Sequence, residues 1–416
     1  MNISVLMHIA LAGVLLCALP SAEAFTLDIF GNANMDDTID ENDVIFLQGI
    51  IDGTNNHTEL ADANYDGKID EKDIEEIEHI IRGDEENLTI MQNIQPHTAA
   101  FATREPVTVP MPIKSVAALG GTYGPEILCV LGDANKIVAI VEEGKKRGEF
   151  ADYVKDTPEV GTTTEWDMEK IIEIKPEVVL AYAVYDYSSQ RKVLNDAGIA
   201  LVQMNFHVPE TYNSEVTKLG WLLDKKERAD DLIDFEEEHL NFINERIKGL
   251  DEENKPRVYP ESYKDLQYGP TSSVCRAVEP CGGINIFAGL NSTSSIDPEE
   301  VISKNPQVIL KMTSNSFISQ CGYDAANSTE MDAKLKEIAK RTGWDHIDAV
   351  KNGRIYIITS DAASIHPSIF NSYVAKWLHP ELFEDMDPAA IHREWLQEFL
   401  GVDLKGVYSY PLLEES

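Results

Sequence analysis

Apolar positions along the later two-thirds of the chain fall into two alternating rhythms. Short β-branched runs such as Ile113 to Leu119 and Ile137 to Val141 are separated by amphipathic stretches such as Pro125 to Leu131. Strands buried on both faces read as continuous apolar runs, and their crossovers are helices, so this alternation predicts α/β units with parallel strands. A longer echo repeats within it. Asp167-Met168-Glu169-Lys170-Ile171-Ile172 leads into Lys175-Pro176-Glu177-Val178-Val179-Leu180, and 130 residues later Asp297-Pro298-Glu299-Glu300-Val301-Ile302 leads into Asn305-Pro306-Gln307-Val308-Ile309-Leu310. Each copy reads as a capped short helix, a proline that stops it and a buried strand. Two similar lobes are predicted, at 105–224 and 251–416. Between them, 225–250 is one charged helical stretch with Leu232, Phe235, Leu240 and Ile243 on a partly apolar face and Gly249 as its stop. A single helix between two lobes limits how far they hinge.

The start of the chain has a different pattern. Ile9 to Leu19 is an apolar run of signal-peptide length, and Ala22-Glu23-Ala24 offers small residues for cleavage, so 1–24 is expected to be a leader cut after Ala24. The usual basic segment before it is missing, which leaves an uncleaved anchor as the alternative. No later run reaches the roughly 18 apolar residues that a bilayer span needs. Four Asn-x-Ser/Thr patterns, at Asn56, Asn87, Asn291 and Asn327, fit export but occur often by chance. Export also sets the cysteine expectation. Cys129 reads as a buried thiol, and of Cys275, Cys281 and Cys321 one pair is open to a disulfide, with Cys275 to Cys321 the first choice.

From 25 to 84 the chain carries 17 acidic residues against three basic ones and contains a repeat spaced 30 residues apart. The first copy places Asn32, Asn34, Asp36, Thr38, Asp40 and Asp43 at positions 1, 3, 5, 7, 9 and 12 of a loop; the second places Asp62, Asn64, Asp66, Lys68, Asp70 and Asp73 there. A loop of about twelve residues around Ca²⁺ turns alternate side chains inward, supplies a backbone carbonyl at position 7 and bends sharply at position 6. Gly67 suits that bend; Asp37 in the first copy departs from it. Each loop leads into an apolar-periodic helix, Asp43 to Ile51 and Asp73 to Ile81. Residues 85–104 are polar, contain Pro96 and show no sustained period, so they read as a linker.

The whole chain has 416 residues, 43% of them apolar, which suits a folded protein of several compact units. Its net charge of -37, from 35 basic against 72 acidic residues, excludes a nucleic-acid partner, because neutralising phosphates needs the opposite balance. There is no Gly-x-Ser-x-Gly elbow, phosphate-binding glycine loop or His-Glu-x-x-His helix, so no catalysis is expected.

Two resemblances follow from these residues. The paired loops, each with one following helix and with Asp at position 12, resemble a dockerin. That resemblance implies Ca²⁺ as cofactor, a cohesin-bearing surface protein as partner, and Glu41, Asn42, Glu71 and Lys72 as partner-reading positions. The remainder is similar to the helical-backbone class of periplasmic binding proteins that serve iron-siderophore, haem and cobalamin importers. The resemblance is carried by the Met168-to-Leu180 stretch, Cys281-Gly282-Gly283-Ile284-Asn285-Ile286-Phe287, the run from Trp344 to Tyr356, and Val374-Ala375-Lys376-Trp377-Leu378-His379-Pro380. It implies two Rossmann-like lobes on a long helix, preceded by the small all-α calcium-binding module, and an exported, cell-surface receptor for a metal chelate.

In that class each lobe offers one surface carboxylate to a membrane permease dimer, and the motif places these at Glu169 and Glu299. Carboxylates in a first helical turn also favour the positive end of the helix dipole, which is the plainer reading. The ligand cleft should lie where loops leave the strands at the facing edges of the lobes. Its candidates are Tyr123, Tyr185, Tyr187 and His207 in the first lobe, and Tyr263, Tyr268, Phe317 and His366 in the second. Aromatic rings suit the flat face of a chelate, and His can ligate its metal; singly, each fits ordinary packing equally well. Only Arg191 and Arg276 fall near the expected cleft, which disfavours a strongly anionic ligand, and the scattered histidines disfavour capture of a bare metal ion. The alternative to a transport receptor is a surface assembly or recognition component on the same two-lobed frame.

Overall fold

The computed structural model describes residues 25–95 and 102–412. The expected leader at 1–24 and part of the expected linker, 96–101, lie outside those residues. Among the described residues no helix is long and apolar enough to cross a membrane.

The front module is built on two helices, α1 (Glu41–Ile51) and α2 (Glu71–Arg82). Asp40 and Asp70 cap them, and Asp43 and Asp73 return the bond in a capping box, so the last residue of each acidic loop is also the lock of the helix that follows. Leu47, Ile50, Ile77 and Ile80 are buried between the helices, with Ile39 beneath them and Ile69 partly covered.

The expected linker is a correction. β1 (Asn87–Ile94) and β2 (Thr103–Pro110) form an antiparallel hairpin, paired from Asn87 with Pro110 to Ile94 with Thr103. Five successive residues of β1, Leu88 to Gln92, are buried because both faces are covered. This removes the period of two that would have marked a strand, and the threonines, glutamine and prolines give the segment a polar look. The hairpin joins the module to the first lobe. Phe30 N–H donates to Thr89 O at 2.9 Å and Met91 N–H to Asp28 O at 2.8 Å, while the buried Lys218 donates to Met91 O at 3.1 Å.

In the first lobe, β3 (Val116–Ala118), β4 (Ile137–Ile140), β5 (Val178–Ala181) and β6 (Ala200–Gln203) form a parallel sheet in the order β4-β3-β5-β6. The second lobe contains β7 (Arg257–Glu261), β8 (Gln267–Tyr268), β9 (Ile284–Asn285), β10 (Ser294–Ser295), β11 (Val308–Thr313), β12 (Ile355–Thr359) and β13 (Ser409–Tyr410). Its main sheet runs β13-β12-β11-β7-β9, parallel except for β13, and β8 pairs with β10 apart from it. Leaving aside the added β13, the two sheets have the same winding: the second strand pairs on one side of the first, and the third on the other. The strand order therefore reverses at β3 and at β7, and the crevice for a ligand opens at the carboxyl ends of those strands.

The connecting helix (Lys226–Ile247) packs against the Tyr212–Leu223 helix of the first lobe and the Pro367–Leu378 helix of the second. Its buried Glu236 accepts Ser368 N–H at 2.8 Å, which ties the helix to the second lobe. Burial pushes the Glu236 carboxyl up to about 8. A carboxyl raised above its ordinary value holds its proton more tightly in the folded state, so its contribution is greatest at low pH and declines as pH rises from about 4.5 to about 8. Glu236→Gln should therefore flatten the loss of stability between about pH 5 and pH 8, by up to about 1.4 kcal/mol per pH unit. Urea unfolding of both chains at several pH values measures this; parallel slopes would contradict it.

Candidate functional site

The loop after β3 begins with Gly120-Gly121. Gly121 has φ +55°, and a Cβ there would lie 2.5 Å from the Tyr182 Oη, so glycine admits the Tyr182 ring against the backbone. Tyr182 stands one residue beyond β5. It meets Tyr123 edge to face with ring centroids 5.3 Å apart, and Tyr185 at 6.1 Å; His207, from the loop after β6, lies 4.8 Å from Tyr123. The His207 Nδ1 is 2.8 Å from the Asn205 carbonyl, so that nitrogen carries the proton.

From the second lobe, Tyr263 after β7 stacks on Phe317 after β11 at 5.7 Å and an interplanar angle of 24°. Tyr263 lies close enough to Tyr123 to oppose ionisation of its phenol. Burial is the main cause that raises the Tyr123, Tyr182 and Tyr263 phenols, Tyr263 to about 12, so the cleft presents neutral hydroxyls and ring faces. A cavity of about 350 Å³ lies along the connecting helix, walled by Leu240, Ile243, Phe370 and Arg276; of the cleft residues above, it is lined by His207 and by none of the tyrosines.

Five of the eight expected cleft residues thus come together, namely Tyr123, Tyr185, His207, Tyr263 and Phe317. The other three are packing residues. Tyr187 is buried, stacks on Trp166 at 4.3 Å and donates to Thr163 O at 2.9 Å. Tyr268 is buried against Phe287 at 6.0 Å, and its hydroxyl accepts from the Asn285 amide at 3.1 Å. His366 is buried 4.5 Å from the Trp395 ring with Nδ1 3.1 Å from Ala362 O, and burial keeps it neutral by holding its pKa well below the usual range. Tyr187 and His366 lie beyond strands as expected and Tyr268 lies within β8, but all three side chains turn inward. Tyr182 was missed because it reads as the end of the strand run.

The expected disulfide is also a correction. Cys275 and Cys321 are free and buried, as are Cys129 and Cys281, and they belong to separate apolar clusters. Burial raises the thiols of all four, to about 12 for Cys321, so none offers a ready thiolate.

Beneath the aromatic rings the lobes meet through a buried polar cluster that sequence reasoning did not find. Arg147 grips Glu149 with Nε and Nη2 at 3.1 and 3.3 Å, and reaches across to Ser364 at 3.4 Å and Asp361 at 3.6 Å. Ser364 donates to Glu126, and Tyr408 to Glu149 at 2.8 Å. Burial pushes Glu126 up to about 7 against the pull of Arg147, while Arg147 holds Glu149 below the ordinary value despite its burial. No apolar period marks Arg147, which lies in a Lys- and Gly-rich run that resembles a solvated turn. Of the arginines expected near the cleft, Arg276 lines the cavity, whereas Arg191 is engaged by Glu105 at 3.0 Å and by Gln203.

Glu169 and Glu299 are exposed in the first turns of the helices Met168–Ile174 and Pro298–Lys304, which lead into β5 and β11, the third strands of the two sheets. The two acidic loops close on themselves in the same way. In both, the position-12 carboxylate closes the ring: Asp43 accepts Asn34 N–H at 3.1 Å and Asp40 N–H at 2.9 Å, and Asp73 accepts Asn64 N–H at 3.1 Å and Asp70 N–H at 2.8 Å. Thr38 N–H and Lys68 N–H donate to Asp36 and Asp66, each at 3.0 Å. Gly67 has φ +87°, whereas Asp37 does not enter the left-handed region; in both loops position 4, Met35 or Tyr65, does. Burial, reinforced by Asp36 and Asp40, pushes Asp43 up to about 6. Among the described residues no three His, Cys, Asp or Glu side chains gather as a metal-binding group. The loops instead mix carboxylates with amide and backbone oxygens, a hard donor set that fits Ca²⁺. Glu41, Asn42, Glu71 and Lys72 are exposed at the entries of α1 and α2.

Known proteins match the part of the chain that holds the two lobes. A family model described as periplasmic binding protein matches residues 116–362. YvrC of Bacillus subtilis, an uncharacterized ABC-transporter substrate-binding lipoprotein, is 24% identical over 297 residues, 70% of this chain and 88% of its own. IsdE of Staphylococcus aureus, a high-affinity heme uptake system protein, is 27% identical over 213 residues, 49% of this chain and 66% of its own. The crystal structure of the TroA-like periplasmic binding protein FepB from Veillonella parvula shares the fold with a TM-score of 0.63 at 21% identity, over 76% of this chain and 98% of its own. With the family model spanning more than half of its length, this chain belongs to the periplasmic binding protein family, the substrate-binding components of ABC importers, and is not an enzyme.

Proposed function

We propose that the protein is an exported surface receptor that captures a metal chelate with a flat, partly apolar face, of the haem, corrinoid or iron-siderophore kind, and delivers it to a permease dimer. The observation that carries this reading is the convergence of Tyr123, Tyr182, Tyr185 and His207 on Tyr263 and Phe317 across the lobes. Ring faces with neutral hydroxyls and one imidazole recognise a conjugated chelate better than a bare oxyanion, which would call for several free cationic donors. The match to IsdE supports the same ligand class. Glu169 and Glu299, exposed at corresponding places in the two lobes, are the proposed contacts to the two permease subunits. The front module is proposed to bind two Ca²⁺ and to dock on a cohesin-bearing partner through Glu41, Asn42, Glu71 and Lys72. The exposed Ile45 on the same face of α1 supplies an apolar contact.

Titrating the full chain, calcium-saturated, with haemin, cobalamin and ferric siderophores, followed by absorbance, tests the ligand class. Saturable binding of one of them at micromolar or tighter affinity is expected, and binding of none would refute the reading. Tyr182→Ala and Tyr263→Ala should each weaken that binding by about tenfold or more, whereas Tyr268→Phe, away from the cleft, should leave it unchanged. For the front module, adding EGTA should lower the melting temperature. With calcium about a thousandfold above its Kd, each site contributes about 4 kcal/mol. Asp73→Ala should remove the share of the second loop; melting curves indifferent to calcium would overturn the assignment.

A further inference from the structure

The hairpin that replaces the expected linker reaches the ligand cleft. Gln92 of β1 is 1% exposed and spends both ends of its amide on the edge strand β6: Oε1 accepts Gln203 N–H at 2.8 Å, and Nε2 lies 3.5 Å from Leu201 O. Gln203, also 1% exposed, then turns its own amide to the loop after β5, donating to Tyr182 O at 2.9 Å and Tyr185 O at 3.2 Å. Its Oε1 accepts from Arg191, which is held by Glu105 of β2 at 3.0 Å. Within the same loop Ala183 O accepts Gln95 N–H, from just beyond β1, at 2.9 Å. Three carbonyls of the loop that presents Tyr182 and Tyr185 are therefore fixed by the hairpin, one directly and two through Gln203. At its other face the hairpin is bonded to Phe30 and Asp28 of the front module.

We infer that the front module and its hairpin are part of the scaffold of the ligand cleft, with Gln92 and Gln203 as positioning residues that set the Tyr182–Tyr185 loop. A buried amide pair of this kind is rigid because every donor and acceptor it leaves unmet costs free energy, so the loop inherits the order of the hairpin. The module is thus coupled to the cleft and does not swing on a flexible tether. The inference rests on the reading of Tyr182 and Tyr185 as cleft residues, but its test needs no ligand, so failure of the ligand reading is seen separately in the titrations.

The test is amide hydrogen exchange of the full chain and of two variants. Gln92→Leu removes both amide bonds at similar volume, and Gln95→Pro removes only the donor to Ala183 O. Exchange across residues 182–187 should quicken on the order of tenfold in Gln92→Leu and less in Gln95→Pro, while exchange in β11 stays within error of the parent. Unchanged exchange at 182–187 in a folded Gln92→Leu chain would overturn the inference. Faster exchange spread evenly over both lobes would overturn it too, because that is the signature of a general loss of stability. If Gln92→Leu does not fold, Gln95→Pro decides by the same criterion.

Discussion

One arginine fixes the distance across the cleft. Arg147 lies between the lobes, almost wholly buried, with Glu126, Glu149 and Asp361 around it, so its charge cannot be left unpaired without a large desolvation cost. Its partners come from both lobes, and the lobes must stay in register for them to remain in reach. The connecting helix imposes the same constraint from the side through Glu236 and Ser368, and Tyr212 adds a buried bond to Ile365 O at 2.9 Å. The loops after β3 and β7 are thereby held in register, with Tyr123 on one and Tyr263 on the other.

The polarity of that floor is also informative. Three carboxylates share one guanidinium, and burial raises Glu126 and Asp361 against the pull of Arg147. The chain's large negative charge lies elsewhere, on solvated surface and in the acidic loops of the front module.

Much of this was legible because it depends on local pattern. The repeated helix, proline and strand at Asp167 to Leu180 and at Asp297 to Leu310 gave the two lobes, and the twelve-residue repeats gave loops whose closing bonds are the same in both copies. What escaped depends on the facing of side chains. Tyr187 and Tyr185 are two residues apart, yet one packs on Trp166 and the other joins the cleft, and no spacing rule separates them. The β1 strand lost its alternation because the front module covers one face and the first lobe the other. Arg147 joins the lobes only through Ser364 and Asp361, more than 200 positions away in sequence.

The most direct measurement of the central claim, a receptor whose cleft is the aromatic surface between two lobes held in fixed register, is a crystal structure of the full chain with the tightest-binding chelate. The chelate is expected between Tyr123, Tyr182 and Tyr185 on one side and Tyr263 and Phe317 on the other, with Arg147 still bonded to Ser364. A chelate bound outside that gap, or lobes closed on it with the Arg147 contacts broken, would contradict it.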